Sequence, residues 1–101
     1  MATYLKPEVR KEQILTAAIT VAERDGYMHM RRSDVADVAG CATGSVSRYF
    51  NTMHQLRRAV MREAVKLSNH RIVAQGLVAN DNQAMKAPEE VKQAALSAVI
   101  G

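Results

Sequence analysis

The sequence predicts an all-α fold, and three observations lead to that prediction. Hydrophobic residues make up 48% of the 101 residues, which is enough for a folded core. Only 4% of the residues are aromatic, so aliphatic side chains and methionine must fill this core, and they suit closely packed helices better than a β-sandwich. Apolar residues also recur at helical spacing along much of the chain. We therefore expect packed helices throughout.

The first predicted helix covers residues 8–25. Its apolar stripe consists of Ile14, Ala18, Val21 and Ala22, with Leu15 beside them. Pro7 suits the helix start, where its missing amide is not needed, and Gly26 suits the left-handed conformation that ends a helix. Tyr27 and Met30 are expected to point into the core from the connection that follows.

Two short helices joined at a glycine come next. Ser33 is predicted to cap the first helix, which ends at Gly40, and Thr43 is predicted to cap the second, which runs to Phe50. Val46 and Phe50 lie four residues apart on the inner face of the second helix. Two short helices joined by about three residues form a helix-turn-helix pattern.

A long fourth helix is predicted over residues 53–74, capped by Asn51 or Thr52. Its apolar positions are Met53, Leu56, Ala59, Val60, Ala64, Leu67, Ile72 and Val73. This stripe is wider than a three-helix core requires. It predicts a second buried contact, either with a C-terminal segment or with another subunit.

The remaining residues are predicted to form a loop and one short helix. The apolar pattern dissolves over residues 76–87 and returns after Pro88. The apolar positions of this last helix are Val91, Ala94, Ala95, Ala98 and Val99.

The positive charge is concentrated in one part of the chain. The whole chain carries 14 Lys and Arg against 10 Asp and Glu, for a formal net charge of +4. Residues 31–71 contain eight of the basic residues but only three of the acidic ones, so the rest of the chain is slightly acidic. Such clustering is typical of a surface that binds nucleic-acid phosphates. It is also found on helices whose Lys and Arg serve solubility and ion pairing, and the charge alone leaves both interpretations open.

One pattern spans these helices between residues 9 and 65. Its residues are Ile14, Leu15, Ala17, Ala18, Gly26, the runs 34–40 and 43–46, Phe50 and Leu56. Together they resemble the DNA-binding domain of the TetR family of transcriptional repressors. The resemblance implies a three-helix DNA-binding unit over residues 1–52, whose third helix enters the major groove. It also implies that Met53 begins the helix that joins this unit to the dimerisation part. We expect residues 53–101, the connecting helix and the C-terminal helix, to serve dimerisation, with the wide apolar stripe and the last helix as the contact.

The sequence departs from this family in two ways. Ser47 and Met53 stand where members usually have a tyrosine and a lysine that touch the phosphate backbone, so nearby residues are expected to make those contacts. Members also usually continue into a ligand-binding domain longer than this whole chain. We therefore expect a short form without an inducer pocket, and no small-molecule ligand.

The candidate DNA-binding residues lie at the starts of three predicted helices and on the outer face of the third. They are Arg31, Arg32, Ser33, Thr43, Gly44, Ser45, Ser47, Arg48, Tyr49, Thr52 and His54. Arg48 suits either a guanine edge or a phosphate, and Tyr49 suits either a phosphate contact or packing on the core. Further along the fourth helix, Arg57, Arg58 and Arg62 are expected to be exposed pairing residues.

The expected function is that of a homodimeric repressor that binds a palindromic operator in double-stranded DNA. One short recognition helix buries too little surface for specificity, so two copies are expected. The alternative is a helical adaptor that binds an acidic protein partner through the same basic face.

Other classes are not expected. No nucleophile–base pair, phosphate-binding loop or metal-ligand spacing appears, so we expect no enzyme, no cofactor and no metal. The single cysteine, the absence of a long apolar run and the polar N-terminus favour a cytoplasmic protein without a membrane span or signal peptide. The family resemblance implies a bacterial protein that associates with the nucleoid through DNA binding.

Overall fold

The computed structural model describes residues 6–100, with side chains through residue 98, and every regular element in that range is helical. The helices are α1 (Pro7–Asp25), α2 (Arg32–Ala39), α3 (Thr43–Tyr49), α4 (Met53–Lys66), α5 (His70–Val78), α6 (Asn82–Met85) and α7 (Glu89–Ile100). A single 3-10 turn, Tyr27–His29, follows α1. The all-α prediction is confirmed.

Helices α2 and α4 both pack on α1. Helix α1 forms where the sequence predicted the first helix, beginning one residue earlier. Pro7 lies in its first turn, and its buried face consists of Ile14, Ala17, Ala18, Val21 and Ala22. Gly26 ends the helix with φ 94° and ψ 137°, so its φ is positive as predicted but its ψ is extended rather than helical. Tyr27 and Met30 are 2% and 5% exposed and lie in the core, as predicted.

Helices α2 and α3 pack on each other, and α2 packs on α1. Val35 and Ala36 of α2 are buried, and so are Val46 of α3 and Phe50 directly after it. The inner face predicted for the third helix is therefore confirmed. Because these apolar side chains all point into one core, the opposite face of α3 is left toward solvent.

The prediction of one long helix over residues 53–74 is wrong, because α4 ends at Lys66 and α5 begins at His70. Ser68 has a left-handed φ of 54°, which breaks the helix. The side-chain oxygen of Asn69 then accepts a hydrogen bond from the Ile72 amide (3.3 Å) and caps α5. Leu67, predicted in the apolar stripe, is 61% exposed in the turn between the two helices.

The apolar stripe of α4 is covered from within the chain. Leu56, Val60, Met61 and Ala64 are fully buried, and α4 packs on α1, α5 and α6. Of the two contacts that the wide stripe predicted, the C-terminal segment is therefore the one observed. These buried positions cannot also serve as a contact with a second subunit.

The loop predicted over residues 76–87 is in fact mostly helical. Helix α5 continues to Val78, and α6 forms a single turn in which the Asp81 carboxylate accepts hydrogen bonds from the Gln83 and Ala84 amides (2.8 and 3.2 Å). Helix α7 begins after Pro88, as predicted, and packs on α5 with Ala95 fully buried. Of its predicted stripe, the Val99 side chain lies outside the described residues.

Candidate nucleic-acid interface

The turn between α2 and α3 sets the angle at which α3 leaves the core. Gly40 adopts the left-handed conformation, with φ 72° and ψ 35°. Its amide donates to the Asp37 carbonyl (3.3 Å), and the Cys41 amide donates to the Ala36 carbonyl (3.0 Å). This pair of bonds is the Schellman motif, which ends a helix where glycine takes a positive φ. Residues 40–42 therefore join α2 to α3 as a helix-turn-helix.

Two predicted helix caps are wrong by one or two residues. Helix α2 begins at Arg32, with Arg31 in the cap position, so Ser33 lies inside its first turn. Helix α3 begins at Thr43 itself, with Ala42 in the cap position, and neither helix has a side-chain cap. Both helices begin earlier than predicted because Arg31 and Ala42 have the extended backbone of a cap residue and the helical backbone begins directly after them. The exposed hydroxyls of Ser33 and Thr43 make no capping bond and can contact an external group.

The outer face of α3 is small, polar and open, apart from one arginine. Thr43, Gly44 and Arg48 are exposed, while Ser45 and Ser47 are half-buried. No atom lies within 4 Å of a Cβ built on Gly44, so another molecule has room to approach the start of this helix closely. Arg48 is therefore exposed beside small side chains that leave room for another molecule.

Tyr49 and Arg32 both make contacts inside the chain. The half-buried ring of Tyr49 packs against the core, which is one of the two roles considered for it. The Arg32 guanidinium donates from Nη2 to the backbone carbonyl of Asn51 (2.7 Å), while its buried Nε has no partner among the described residues. This bond brings the start of α2 beside the connection between α3 and α4.

The start of α4 completes this part of the surface. Of the two caps considered, Thr52 is the one that forms, accepting a hydrogen bond from the Gln55 amide (3.1 Å). The Gln55 side chain in turn accepts from the Asn51 amide (3.0 Å). Reciprocal bonds of this kind resemble a capping box and fix the first turn of α4. His54 is exposed next to the cap.

A lysine outside the predicted set also reaches this surface. The Lys11 ammonium on α1 lies 5.5 Å from the centre of the Phe50 ring, in cation–π geometry. It therefore adds a positive charge near the α3–α4 connection. The charge count over residues 31–71 missed it because Lys11 arrives there through the packing of α1, far away in sequence.

The basic side chains of this segment are not neutralised by acidic neighbours. Among the side chains described, ion pairs form between Arg24 and Asp25 (2.9 Å) and between Lys92 and Glu89 (3.3 Å), both outside residues 31–71. The prediction that Arg57, Arg58 and Arg62 are pairing residues is therefore wrong, although Arg58 and Arg62 are exposed as expected. An unpaired basic surface attracts polyanions over a range set by the salt concentration.

The described residues contain neither a cluster of metal ligands nor a membrane-spanning helix. No group of three or more His, Cys, Asp or Glu side chains between residues 6 and 98 is placed to hold a metal ion. Within the same part of the chain, every helix is too short or too polar to cross a lipid bilayer.

Comparison with known proteins adds evidence of a different kind. The chain is 35% identical over 60 residues to the HTH-type transcriptional regulator BetI of Vibrio campbellii, a match that covers 59% of this chain and 30% of that protein. It is 36% identical over 64 residues to the regulator of the same name from Vibrio atlanticus, covering 62% of this chain and 32% of the relative. The corresponding protein of Vibrio vulnificus is 30% identical over 60 residues.

These relatives are all named as helix-turn-helix transcriptional regulators. The matches span less than a third of each relative's own length. No family model matches the chain, and no solved structure is similar enough to count as a match. Over about three fifths of its length, the chain is thus similar to helix-turn-helix regulators, which agrees with the helix-turn-helix seen in the structure.

Proposed function

We propose that the protein is a DNA-binding transcriptional regulator of the TetR type, acting as a homodimeric repressor on a palindromic operator. The observation that carries this proposal is the geometry of α2 and α3. A Schellman turn joins the two helices, the inner face of α3 is buried, and its outer face presents Arg48 between small polar residues. A helix presented in this way fits the major groove of B-DNA.

The proposed contacts fall into two groups. Arg48 contacts a base edge or a phosphate from the middle of α3, with the residues at the start and along the outer face of that helix around it: Thr43, Gly44, Ser45, Ser47 and Tyr49. Phosphates on either side are contacted from the starts of α2 and α4 by Arg31, Arg32, Ser33, Thr52 and His54. Lys11 joins the second group through its place near Phe50.

The unpaired charge supports this function over the adaptor alternative. A run of phosphates gives the cations of α2, α3 and the start of α4 similar partners, whereas an acidic protein would have to match each position. The similarity to named transcriptional regulators also favours DNA. We therefore propose that residues 1–52 bind DNA and residues 53–101 hold two copies together.

The dimer contact proposed here differs from the one that the sequence favoured. Because the apolar stripe of α4 is buried inside the chain, the contact must use apolar side chains that remain exposed. In the second half of the chain, Leu67, Val78, Met85 and Leu96 are 61%, 77%, 49% and 41% exposed. We propose that Val78 and Leu96, on the packed helices α5 and α7, contact the second copy.

The substitution Arg48→Ala tests the recognition helix. We expect its affinity for a duplex selected by the unmodified chain from random DNA to fall by about 1 to 3 kcal/mol, since a base or phosphate contact is lost. The urea midpoint should not change, because Arg48 is exposed. Fluorescence anisotropy with a labelled duplex measures the affinity.

Arg71→Ala is the matched control, since Arg71 is another exposed arginine but lies on α5. It should bind the selected duplex nearly as well as the unmodified chain. If both variants bind equally, α3 is not the recognition helix. Preferential binding of an acidic protein with no sequence preference among duplexes would favour the adaptor instead.

A further inference from the structure

A second cationic site lies in a cleft beside the start of α4. The cleft has a volume of about 300 Å³ and is bounded by the 3-10 turn, α4 and the segment from the end of α5 to α6. Its lining includes the cations Arg57, Arg58 and Lys86, the carboxylate of Asp81 and the imidazole of His54. No residue of α3 takes part in it.

The positive charges of this cleft have no ion-pair partner in the part of the chain that the structure describes. Arg57, Arg58 and Lys86 enter no ion pair with any side chain described by the structure. They come from two parts of the chain, α4 and the residue after α6, which the fold brings to one cavity. Cations gathered in this way repel one another, so an anion between them is stabilised.

Asp81 forms no ion pair with these cations, because both of its carboxylate oxygens accept hydrogen bonds from neutral donors. Its one negative charge is outnumbered by the positive charges of Arg57, Arg58 and Lys86. One oxygen accepts the Gln83 and Ala84 amides, and the other accepts the Tyr27 hydroxyl (3.2 Å). Burial, and after it the Asp81 charge, raises the pKa of Tyr27 to about 12, so the phenol keeps its proton near neutral pH. Asn82 and Gln83 add side-chain amide donors to the lining.

We propose that this cleft binds a small anion carrying a phosphate or pyrophosphate group. Two arginines and a lysine match the several oxygens of such a group, and arginine can bind them in a bidentate manner. The volume lies at the lower end of the range for small-molecule sites, which favours a compact anion over a large apolar effector. This proposal departs from the expectation, based on chain length, that no small-molecule ligand exists.

The phosphate chemistry could also be supplied by the DNA backbone, because His54 both lines the cleft and belongs to the proposed DNA surface. The two sources predict different behaviour. A small anion binds the free protein with saturation, whereas a backbone phosphate is held only as part of the duplex. The site does not depend on the proposed repressor function, so it is tested without DNA.

The test is a titration of the full chain with inorganic pyrophosphate at fixed ionic strength, followed by amide chemical shifts. We expect saturable shifts centred on Asn82, Gln83 and Lys86. Arg57→Gln and Lys86→Gln should each weaken binding about tenfold, since each removes a charge-assisted hydrogen bond. Arg62→Gln is the matched control, because Arg62 is an exposed arginine of the same helix outside the cleft. The amide spectrum of each variant reports that it is folded.

Three results would overturn the proposal. Equal weakening by all three substitutions would indicate general attraction to a basic helix. Saturable shifts confined to α3 would place the anion elsewhere. The absence of saturation, combined with weaker binding of duplex DNA by Arg57→Gln and Lys86→Gln, would assign the cleft to the DNA backbone contact. Only this last result involves DNA, and it would leave the proposed function intact.

Discussion

At the scale of single residues, the arginines of residues 31–71 differ in their surroundings. Arg48 is exposed and is available to a ligand. Arg32 donates to the Asn51 carbonyl and so ties the start of α2 to the α3–α4 connection. A charge count treats the two alike, whereas the structure leaves Arg48 exposed and gives Arg32 a bond to a neighbouring connection. Loss of Arg32 is therefore expected to disturb the geometry of the surface as well as its charge.

Tyr27 makes the stability of the fold depend on pH in the alkaline range. Its pKa is about 12 in the folded chain, against 10.0 for an ordinary tyrosine. The unfolded chain therefore loses this proton at a lower pH than the folded chain does. The contribution of the protonated Tyr27 phenol to the free energy of unfolding is fully present below pH 10 and is lost as the pH rises toward 12. We expect the free energy of unfolding in urea to fall more steeply above pH 10 for the unmodified chain than for Tyr27→Phe. Equal slopes of the free energy of unfolding against pH for the two proteins would show that folding does not raise the pKa of Tyr27.

At the scale of helices, the contact of α5 with α4 and α6 depends on a glycine. A Cβ built on Gly76 would lie 2.5 Å from the Met61 methyl and 2.7 Å from the Ala84 Cβ. The methionine end can move, but the alanine Cβ is fixed to the backbone of α6, so the helices must separate. Overpacking of this kind costs about 1 to 3 kcal/mol. We expect Gly76→Ala to lower the free energy of unfolding, measured by urea denaturation.

Gly44→Ala is the matched control for this effect, because a Cβ on Gly44 meets no atom within 4 Å. Alanine is the better helix former by up to about 1 kcal/mol, so this substitution should be neutral or stabilising. Gly76→Ala is thus predicted to lower the free energy of unfolding, and Gly44→Ala to leave it unchanged or raise it. A stabilising Gly76→Ala would mean that α5 does not approach α4 and α6 so closely.

Several helix boundaries could be predicted from the sequence, but the end of α4 could not. Pro7, Gly40, Thr52 and Pro88 act on their nearest neighbours, and the structure has helix boundaries at or beside each of them. The end of α4 was missed because the apolar spacing continues through Ile72 and Val73, which are buried on α5 instead. Ser68 and Asn69 are residue types that often end or cap a helix, but this local signal is weaker than an uninterrupted apolar stripe.

At the scale of the whole molecule, the parts of the candidate surface that lie along one helix were predictable. The exposure of Arg48 follows from the buried positions of Val46 and Phe50 on the other face of α3. The Arg32–Asn51 bond and the approach of Lys11 to Phe50 were not predictable, since they join residues on different helices. The clustering of cations around the α4 cleft has the same origin, because Lys86 reaches it only through the packing of α6 on α4.

The proposed dimer makes a prediction about the exposed apolar side chains of the second half. Val78 is 77% exposed on α5, so an aspartate there should fold but should disfavour an apolar contact between copies. We expect Val78→Asp to sediment as a monomer at a concentration where the unmodified chain is a dimer. Val38→Asp is the control, because Val38 is 42% exposed but lies on α2. A Val78→Asp protein that remains dimeric would place the contact elsewhere.

Selection from a pool of random DNA duplexes shows whether the protein recognises a palindromic operator. The unmodified chain is used to capture duplexes at physiological salt, and the recovered sequences are compared with the starting pool. Two copies of α3 in successive major grooves predict an enriched palindrome with half-sites about one helical turn, or about 10 base pairs, apart. Binding without enrichment of any sequence, or no binding at all, would contradict the account.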